Sequence, residues 1–455
     1  MVWQFYKMDK IAVKKNAVWF RQDLRVNDNP ALKAAQQPGV PVMAIYAITP
    51  ETWQAHDWAP AKIDFVKQRL LELAEELKVL NIPLYCLELK TFADIPVAIQ
   101  ALCEQHQINA IFVNRQYALD ERRCEQQVRQ ACAVSWHEFD GNWLLAPERA
   151  LNQQGEPYKV FTAFKRHALG QIASPNNIQL GNNQAERALT QFCQEALLEY
   201  QTQRDFPNIE GTSRVSHYLA QGVLSPQQCI SAMMRACGVD SIGALLNLPG
   251  PATWLSELLW REFYQHLMWH YPSLSKGKAF KPETDALPWS EDPLLFEAWC
   301  QGKTGFPLVD VGMRQLNQIG WMHNRLRMVT AMFLTKTLFI HWRLGERYFM
   351  RQLIDGDFAA NNGGWQWCAS TGTDAVPYFR IFNPTTQSER FDPNGDFIRR
   401  YCPELASLNA RDIHNPSPTQ RQKLGYPQPA VDYKMMRQKV IGAFKSLKGI
   451  SNGKD

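Results

Sequence analysis

The residues best suited to chemistry cluster in a few segments of the second half of the chain. The string DGDFAANNGGWQWCASTGTDAVPYFRIFNP (355–384) joins acidic residues, paired asparagines, paired glycines, two near-adjacent tryptophans and a basic finish. A core segment has no use for its polar half, and a surface loop has none for its aromatic half. The mixture suits the wall of a site for a large, flat, polar-edged ligand. Gly363 and Gly364 permit close approach of backbone to something flat, with Asn361 and Trp365 flanking it. The Asp355–Asp357 turn could cap a helix or meet a sugar or ring. A metal is disfavoured there, because no third carboxylate lies at loop spacing.

Three further segments add to this. In WLSELLWREFYQHLMWHYP (254–272), helical spacing sets Glu257 beside Trp260 and Arg261. That offers an acceptor, a stacking face and a phosphate contact; an ion pair beside core aromatics fits as well. In GWMHNRLRMVTAMFL (320–334), Asn324, Arg327 and Met328 share a helix face, and arginines in an apolar helix need anions or solvent. An interdomain ion pair and a ligand rim both satisfy that need. In EGTSRVSHYLAQGVLSP (210–226), Thr212, Ser213 and Ser216 surround Arg214. Hydroxyls and backbone N–H groups at a helix start bind anions or simply cap the helix.

No Ser–His–Asp, zincin or P-loop pattern occurs, which disfavours a hydrolase or an NTPase. The net charge of +5 is mild, so contact with a polyanion must come from a local patch. Ten scattered cysteines without a CxxC pair read as reduced, mostly buried thiols of a cytoplasmic protein. The first fifteen residues have charges but no apolar run, so no signal peptide is expected, and no stretch is long enough for a membrane span. Met1–Lys15 carries no assigned role.

The elements that must hold these residues follow from periodicity. Strands are expected at Ala17–Phe20, Val42–Ile48, Pro83–Leu89, Ala110–Val113 and Trp136–Phe139, with helices Lys62–Leu80, Ala93–Gln107 and Asp120–Ala133 between them. This alternation predicts an α/β domain with a five-stranded parallel, doubly wound sheet. WFRQDLRVNDNPAL (19–32) follows the first strand where a dinucleotide fingerprint would be, so the main cofactor need not sit there. From residue 211 the pattern is helical: Ser213–Gln221, Ser225–Cys237, Ala252–Tyr271, Leu308–Gly320, His323–Arg343, Gly345–Leu353 and Asp432–Leu447. The expected division is an α/β domain over 16–140, a connector over 141–210 and a mainly α-helical domain over 211–450. The final SLKGISNGKD reads as a frayed end.

Taken together, WFRQDLRVNDNPAL, GTSRVSHYLAQGVLSP, WLSELLWREFYQH, WMHNRLRMV and the 355–384 string closely resemble the DNA photolyase/cryptochrome family. Within it they resemble the bacterial class I cyclobutane pyrimidine dimer photolyases, from about Ala17 to Pro403. The resemblance implies an antenna domain followed by a helical domain that holds FAD. Flavin contacts would fall on Tyr200, Thr212, Ser213, Arg214, Val215, Ser216, Glu257, Asn324, Arg327, Asp355, Asp357 and Asn361. Asn361 takes the place facing flavin N5, where many cryptochromes carry Asp or Cys. The lesion pocket maps to Glu257, Trp260, Asn324, Met328 and Trp367, and (6-4) photolyases usually place histidine where Met328 stands. The family's electron chain matches Trp365, Trp342 and Trp289, and DNA-backbone contacts match Arg204, Arg261, Arg325, Arg327 and Arg380.

The resemblance therefore implies a monomeric, light-driven lyase that repairs pyrimidine dimers in DNA by electron transfer from reduced FAD. A cryptochrome-type photoreceptor and a (6-4) photolyase are the alternatives. For the antenna, the folate-binding pattern of Asn–Glu and Cys–Lys reads here as Asp120–Glu121 and Ser275–Lys276. Methenyltetrahydrofolate is the expected antenna; a deazaflavin, a flavin or an empty pocket are the others, and WFRQDLR would line the pocket in each case.

Overall fold

The computed structural model describes residues 2–3, 14–175, 178 and 180–451. Close packing divides the chain into two compact units. One holds Met1–Leu198 and Ser213–Pro272, the other Glu199–Thr212 and Ser273–Asp455. This partition follows different lines from the composition changes near residues 141 and 211.

In the first unit, β1 (Val2–Trp3), β2 (Lys15–Phe20), β3 (Val42–Ile48), β4 (Leu84–Glu88), β5 (Ile108–Asn114) and β6 (Ser135–Phe139) form one sheet, in the order β1-β4-β3-β2-β5-β6. Strands β2 to β6 are parallel and lie within two residues of their expected bounds. β1 is an antiparallel edge, with Val2 opposite Leu87; the neighbouring residues 4–13 lie outside the described residues. β2 is central, with Ala17 opposite both Met43 and Ile111. Both of its faces are covered, which is why Ala17–Phe20 is apolar throughout instead of alternating. The chain winds outward from β2 through β3 to β4, then crosses β2 to build β5 and β6. Beyond the carboxyl ends of β2 and β5 the winding reverses, and open α/β sheets form a crevice there.

The stretch read as a connector holds the helices Phe161–Gln171 and Gln184–Glu195. Turn clusters on either side masked their periodicity. Asn183 starts the second with a capping box, accepting from Glu186 N while the Glu186 carboxylate accepts from Asn183 N. The long helix Pro249–His270 is fixed by the fully buried Glu262, whose Oε1 accepts from Leu144 N at 2.8 Å and Leu145 N at 3.0 Å. Near its start, a Cβ on Gly250 would collide with the carbonyl oxygens of Leu197 and Leu198, so only glycine lets the helix lie this close.

The second unit is helical. Its core gathers Trp299, Leu316, Phe333, Trp342, Phe349 and Trp365 from Pro293–Cys300, Pro307–Ile319, Asn324–Lys336, Trp342–Gln352 and Phe358–Ala369, with Met322 from the loop before Asn324. The single helix expected over His323–Arg343 is in fact two. The first stops at Lys336, Phe339 turns left-handed at φ 59°, and His341 starts the next by accepting from Arg343 N at 3.2 Å. The expected helix Ser213–Gln221, in the first unit, shortens to Ser216–Ala220. Helix Phe358–Ala369 runs straight through Gly363 and Gly364, whose cost of about 1 kcal/mol each is offset by anchoring described below. The expected frayed end is partly helix, because Tyr433–Ser451 runs into it; residues 452–455 lie outside the described residues. Among the described residues no helix is long and apolar enough to cross a membrane.

Candidate functional site

In the second unit, the helix Phe358–Ala369 carries Asn361, Trp365 and Trp367. Asp357 is its N-cap, with Oδ1 accepting from Ala360 N at 2.8 Å. One turn on, Asn361 Nδ2 donates to the backbone oxygen of Glu346 at 2.9 Å. A carbonyl can only accept, so this bond fixes which end of the amide is nitrogen. The Asn361 Oδ1 is left as an outward acceptor that no hydrogen bond among the described residues occupies. The adjacent Asn362 donates to Glu346 Oε1 at 2.7 Å and accepts from Gln366 Nε2 at 2.9 Å, while Gln366 Oε1 accepts from Phe280 N at 2.8 Å. Glu346 therefore orients both asparagines, and no sequence spacing had marked it. Gly364 has open space where a Cβ would stand.

Arg327 and Asp355 form an ion pair at 2.8 Å, and Arg327 Nε also donates to Met322 O at 2.8 Å. The Asp355 side chain is 2% exposed and that of Arg327 is 25% exposed, so the pair is pre-formed and half-open. Asn324, at the first helical position after the His323 cap, is exposed. Met328 and Trp367 are half-buried against the common core, and Cys368 Sγ lies 3.8 Å from Met328 O. Arg325 pairs with Asp205 at 2.7 Å and lies over the Phe391 ring at 4.5 Å. Arg204 lies 5.3 Å from the centre of the buried Tyr200 ring. Arg380 is exposed, beside the exposed Phe379.

Beneath the Arg380 loop lies a group that sequence reading missed. Lys336 is fully buried, with Nζ 3.4 Å from Arg380 O and 3.5 Å from Pro377 O. Burial pushes its ammonium down to about 7. The apolar helical pattern around it gave no hint that one lysine would turn inward to hold a loop.

Of the three chain tryptophans, Trp365 and Trp342 are buried and Trp289 is half-buried. A Cβ on Gly345 would strike the Trp365 ring, so glycine is what allows helix Trp342–Gln352 to seat against it. His341 stands between the other two, 5.2 Å from Trp289 and 6.0 Å from Trp342 by ring centres. Thr212 belongs to this unit and is half-buried.

The first unit carries Ser213, Arg214, Val215, Ser216, Glu257, Trp260 and Arg261. Arg214 adopts φ 51°, unusual for a residue with a side chain, and Val215 follows at φ −90°, ψ 7°. Such a pair turns successive N–H groups to one side, as anion-binding backbone does. Glu257 is half-buried. Trp260 is stacked on Phe161 at 3.7 Å and 10°, so one of its faces is already covered. Arg261, expected to contact DNA, is half-buried. Its guanidinium donates to Leu219 O at 3.2 Å and approaches Asn142 O and Gln265 at 3.5 Å, which makes it a brace for neighbouring backbone.

A pocket lies at the carboxyl ends of β2 and β3 and reaches Gln116 just beyond β5, beside the crevice. Trp19, Phe20, Tyr46, Trp53, Trp58 and Phe92 line it, with Arg21 and Glu121 among its few charged groups. Trp53 and Trp58 stack at 5.1 Å and 3°, and Lys62 Nζ lies 3.9 Å over Trp58. Beside it, His56 reaches Asp120 at 3.5 Å and Glu121 at 3.7 Å. Burial pushes the Glu121 carboxyl up, against the opposing pull of His56. Neither His56 nor the Trp53–Trp58 stack was expected, since their spacing fits no simple helix face. In the second unit, Lys276 is exposed at the end of the turn Leu274–Lys276, next to Ser275.

Among the described residues no cluster of His, Cys, Asp and Glu could hold a metal ion. All ten cysteines are free thiols, most of them buried.

Comparison with known proteins agrees over nearly the whole chain. Residues 16–186 match the family model described as DNA photolyase, and residues 254–446 match that for the FAD binding domain of DNA photolyase. A deoxyribodipyrimidine photo-lyase of Vibrio cholerae is 45% identical, over 95% of this chain and 99% of the relative. Among solved structures, a class III photolyase from Agrobacterium tumefaciens superposes with a TM-score of 0.80 at 32% identity, covering 97% of this chain and 99% of that one. A Synechocystis cryptochrome gives a TM-score of 0.84 at 26% identity, covering 96% and 100%.

Proposed function

Because the chain belongs to the DNA photolyase family, we propose that it is a light-driven deoxyribodipyrimidine photo-lyase. It binds DNA carrying a cyclobutane pyrimidine dimer and splits the ring with an electron supplied by reduced FAD. The observation that carries this reading is the fixed amide of Asn361, whose oxygen is left as an acceptor. Oxidised isoalloxazine has no proton on N5 whereas the reduced forms do, so an acceptor there favours reduced over oxidised flavin. The donor set fits the rest of the cofactor too. The half-open Arg327–Asp355 pair can meet polar ring edges, and the turned backbone at Arg214–Ser216 can meet phosphate. Tyr200, Thr212, Ser213, Val215, Glu257, Asn324 and Asp357 complete the proposed contacts. When bound, FAD absorbs the light and supplies the electron.

The chain's own residues would do the remaining work. A dimer must leave the duplex to react, and its weakened stacking lowers that cost. Trp367 and Trp260 stack on the displaced bases. Glu257 and Asn324 hydrogen-bond base edges, and Met328 fills the apolar side. Arg204, Arg325, Arg327 and Arg380 hold the flanking phosphates, which makes binding salt-dependent. Trp365, Trp342 and Trp289 relay electrons inward to restore the reduced state.

For a second chromophore, we assign methenyltetrahydrofolate to Asp120, Glu121 and Lys276. The His56–Asp120–Glu121 cluster supplies acceptors for a ring bearing N–H groups. The aromatic cavity at the strand ends favours a second reading, a flavin-type ring held by stacking. The free thiols fit a reducing cytoplasm, and a monomer is the proposed working form.

The test is repair of oligonucleotides carrying either a thymine cyclobutane dimer or a (6-4) photoproduct, in light and dark, with reduced flavin. Light-dependent recovery of intact thymines from the first alone is expected. Recovery from the second, or from neither while flavin photoreduces, overturns the proposal.

A further inference from the structure

The ring contacts of Trp365 lead where the tryptophans selected from sequence do not. Trp299 is completely buried, and its ring lies 6.0 Å from that of Trp365, edge-on at 72°. Phe349 packs against both, 4.9 Å from Trp365 and stacked 5.9 Å from Trp299. On the far side of Trp299, the Tyr348 ring stands 5.7 Å away and comes half out to the surface. Its hydroxyl donates to Asn317 Oδ1 at 2.7 Å and lies 3.1 Å from Cys300 O. Asn317 itself is exposed. Packed rings thus run without a gap from Trp365 to a phenol that has a hydrogen-bonded path to water.

We propose that Tyr348 is a terminal electron donor and Trp299 its relay, forming a second route into Trp365 beside the one through Trp342 and Trp289. This rests on the flavin reading above. One electron passes from Tyr348 through Trp299 and Trp365 to the photoexcited oxidised flavin. The phenol O–H bond breaks in the same event, and the proton leaves along the Asn317 hydrogen bond to water. What remains is a neutral tyrosyl radical, which an external thiol reduces by returning an electron and a proton.

The chemistry favours a tyrosine at this position. An oxidised phenol is a strong acid, so it becomes a stable hole only where its proton has an acceptor, and Asn317 provides one. Burial raises the Tyr348 hydroxyl to about 12, so the residue is protonated before the flash and its loss of charge is compensated by loss of the proton. Trp299 instead donates its indole N–H to the buried Thr330 O at 3.0 Å, which gives its proton no exit and suits a relay. The indole N–H groups of Trp342 and Trp289 find no acceptor among the described residues.

The test uses the full chain with bound flavin, oxidised and then illuminated without added DNA, with electron paramagnetic resonance as the readout. Wild-type protein labelled with ring-deuterated tyrosine needs no mutation. A light-induced radical signal that narrows on this labelling supports the branch, and one indifferent to it overturns the branch. Trp342→Phe blocks the other route and should enrich the tyrosyl signal several-fold. Tyr348→Phe keeps the ring packing and should abolish it. A tyrosyl signal that survives in Tyr348→Phe overturns the assignment. Flavin content is read first by visible absorption; a chain that binds no flavin overturns the underlying reading and the branch with it, whereas bound flavin with tryptophan radicals only overturns the branch alone.

Discussion

The cavity at the strand ends and the anchored helix Phe358–Ala369 offer a ligand opposite things. The cavity is a space walled by aromatic side chains, with few polar groups to dictate orientation. The helix offers little enclosure of its own, but its polar groups are already fixed. Asp357 caps it, Glu346 holds Asn361 and Asn362, and Arg327 is paired with Asp355. Stacking surfaces accept any flat ring of the right size, whereas fixed donors and acceptors select one.

Breaking the fixed polar set should have the largest effect. Arg327→Ala leaves the buried Asp355 carboxylate without its cation. Stability should fall by about 3 kcal/mol, and flavin should be lost on purification. Arg327→Ala with Asp355→Asn should recover part of the stability but not the flavin. Thermal melting and the flavin-to-protein absorbance ratio check this. A variant that keeps both would erase the contrast between the two sites.

The cavity should respond differently. Ala47 lines it from β3, and Ala47→Phe should fill it while suiting a strand. Under the second reading, with a flavin-type ring in the cavity, the second chromophore's absorbance should vanish and repair in dim light should fall several-fold, with FAD content unchanged. A variant retaining that absorbance would remove the cavity reading and leave the folate assignment at Asp120 and Glu121.

Arginines provide a finer comparison. Arg380→Ala should weaken DNA binding a few-fold and lower the salt slope by about one. Arg261→Ala should instead lower stability and leave the salt slope alone, since its guanidinium faces backbone carbonyls. Equal salt slopes in the two variants would contradict this division.

The smallest effect concerns Lys336. Its folded pKa of about 7 lies below its ordinary 10.5, so between those values the unfolded chain carries a proton that the folded chain lacks. Its contribution makes stability rise with pH across that window and is most unfavourable below pH 7. Lys336→Met should therefore gain stability over wild type most near pH 7, with the gain shrinking toward pH 10. Melting curves across that range measure the difference; a constant offset would contradict it.

The five parallel strands were legible because their apolar runs are short and bounded by turns, and β2 must be buried on both faces. The residues proposed to face the flavin stood out only through the family resemblance; by periodicity alone Asn361 and Trp365 are indistinguishable from helix surface and core. Three features stayed hidden for physical reasons. Glu346 acts through its backbone oxygen as well as its carboxylate, and backbone groups have no sequence signature. Glycines that normally signal turns lie inside Phe358–Ala369, because side-chain anchors override propensity. Trp53 and Trp58 come together through a chain bend between them, at a spacing no regular helix face would give.

The most direct test of the account is an action spectrum for splitting a defined thymine dimer, measured on wild type and Ala47→Phe with reduced flavin. The account requires no splitting in the dark and, in both proteins, splitting that follows the reduced-flavin band, with a second chromophore's band added in wild type. Splitting that proceeds equally in the dark, or a spectrum that does not follow reduced flavin in either protein, would contradict it.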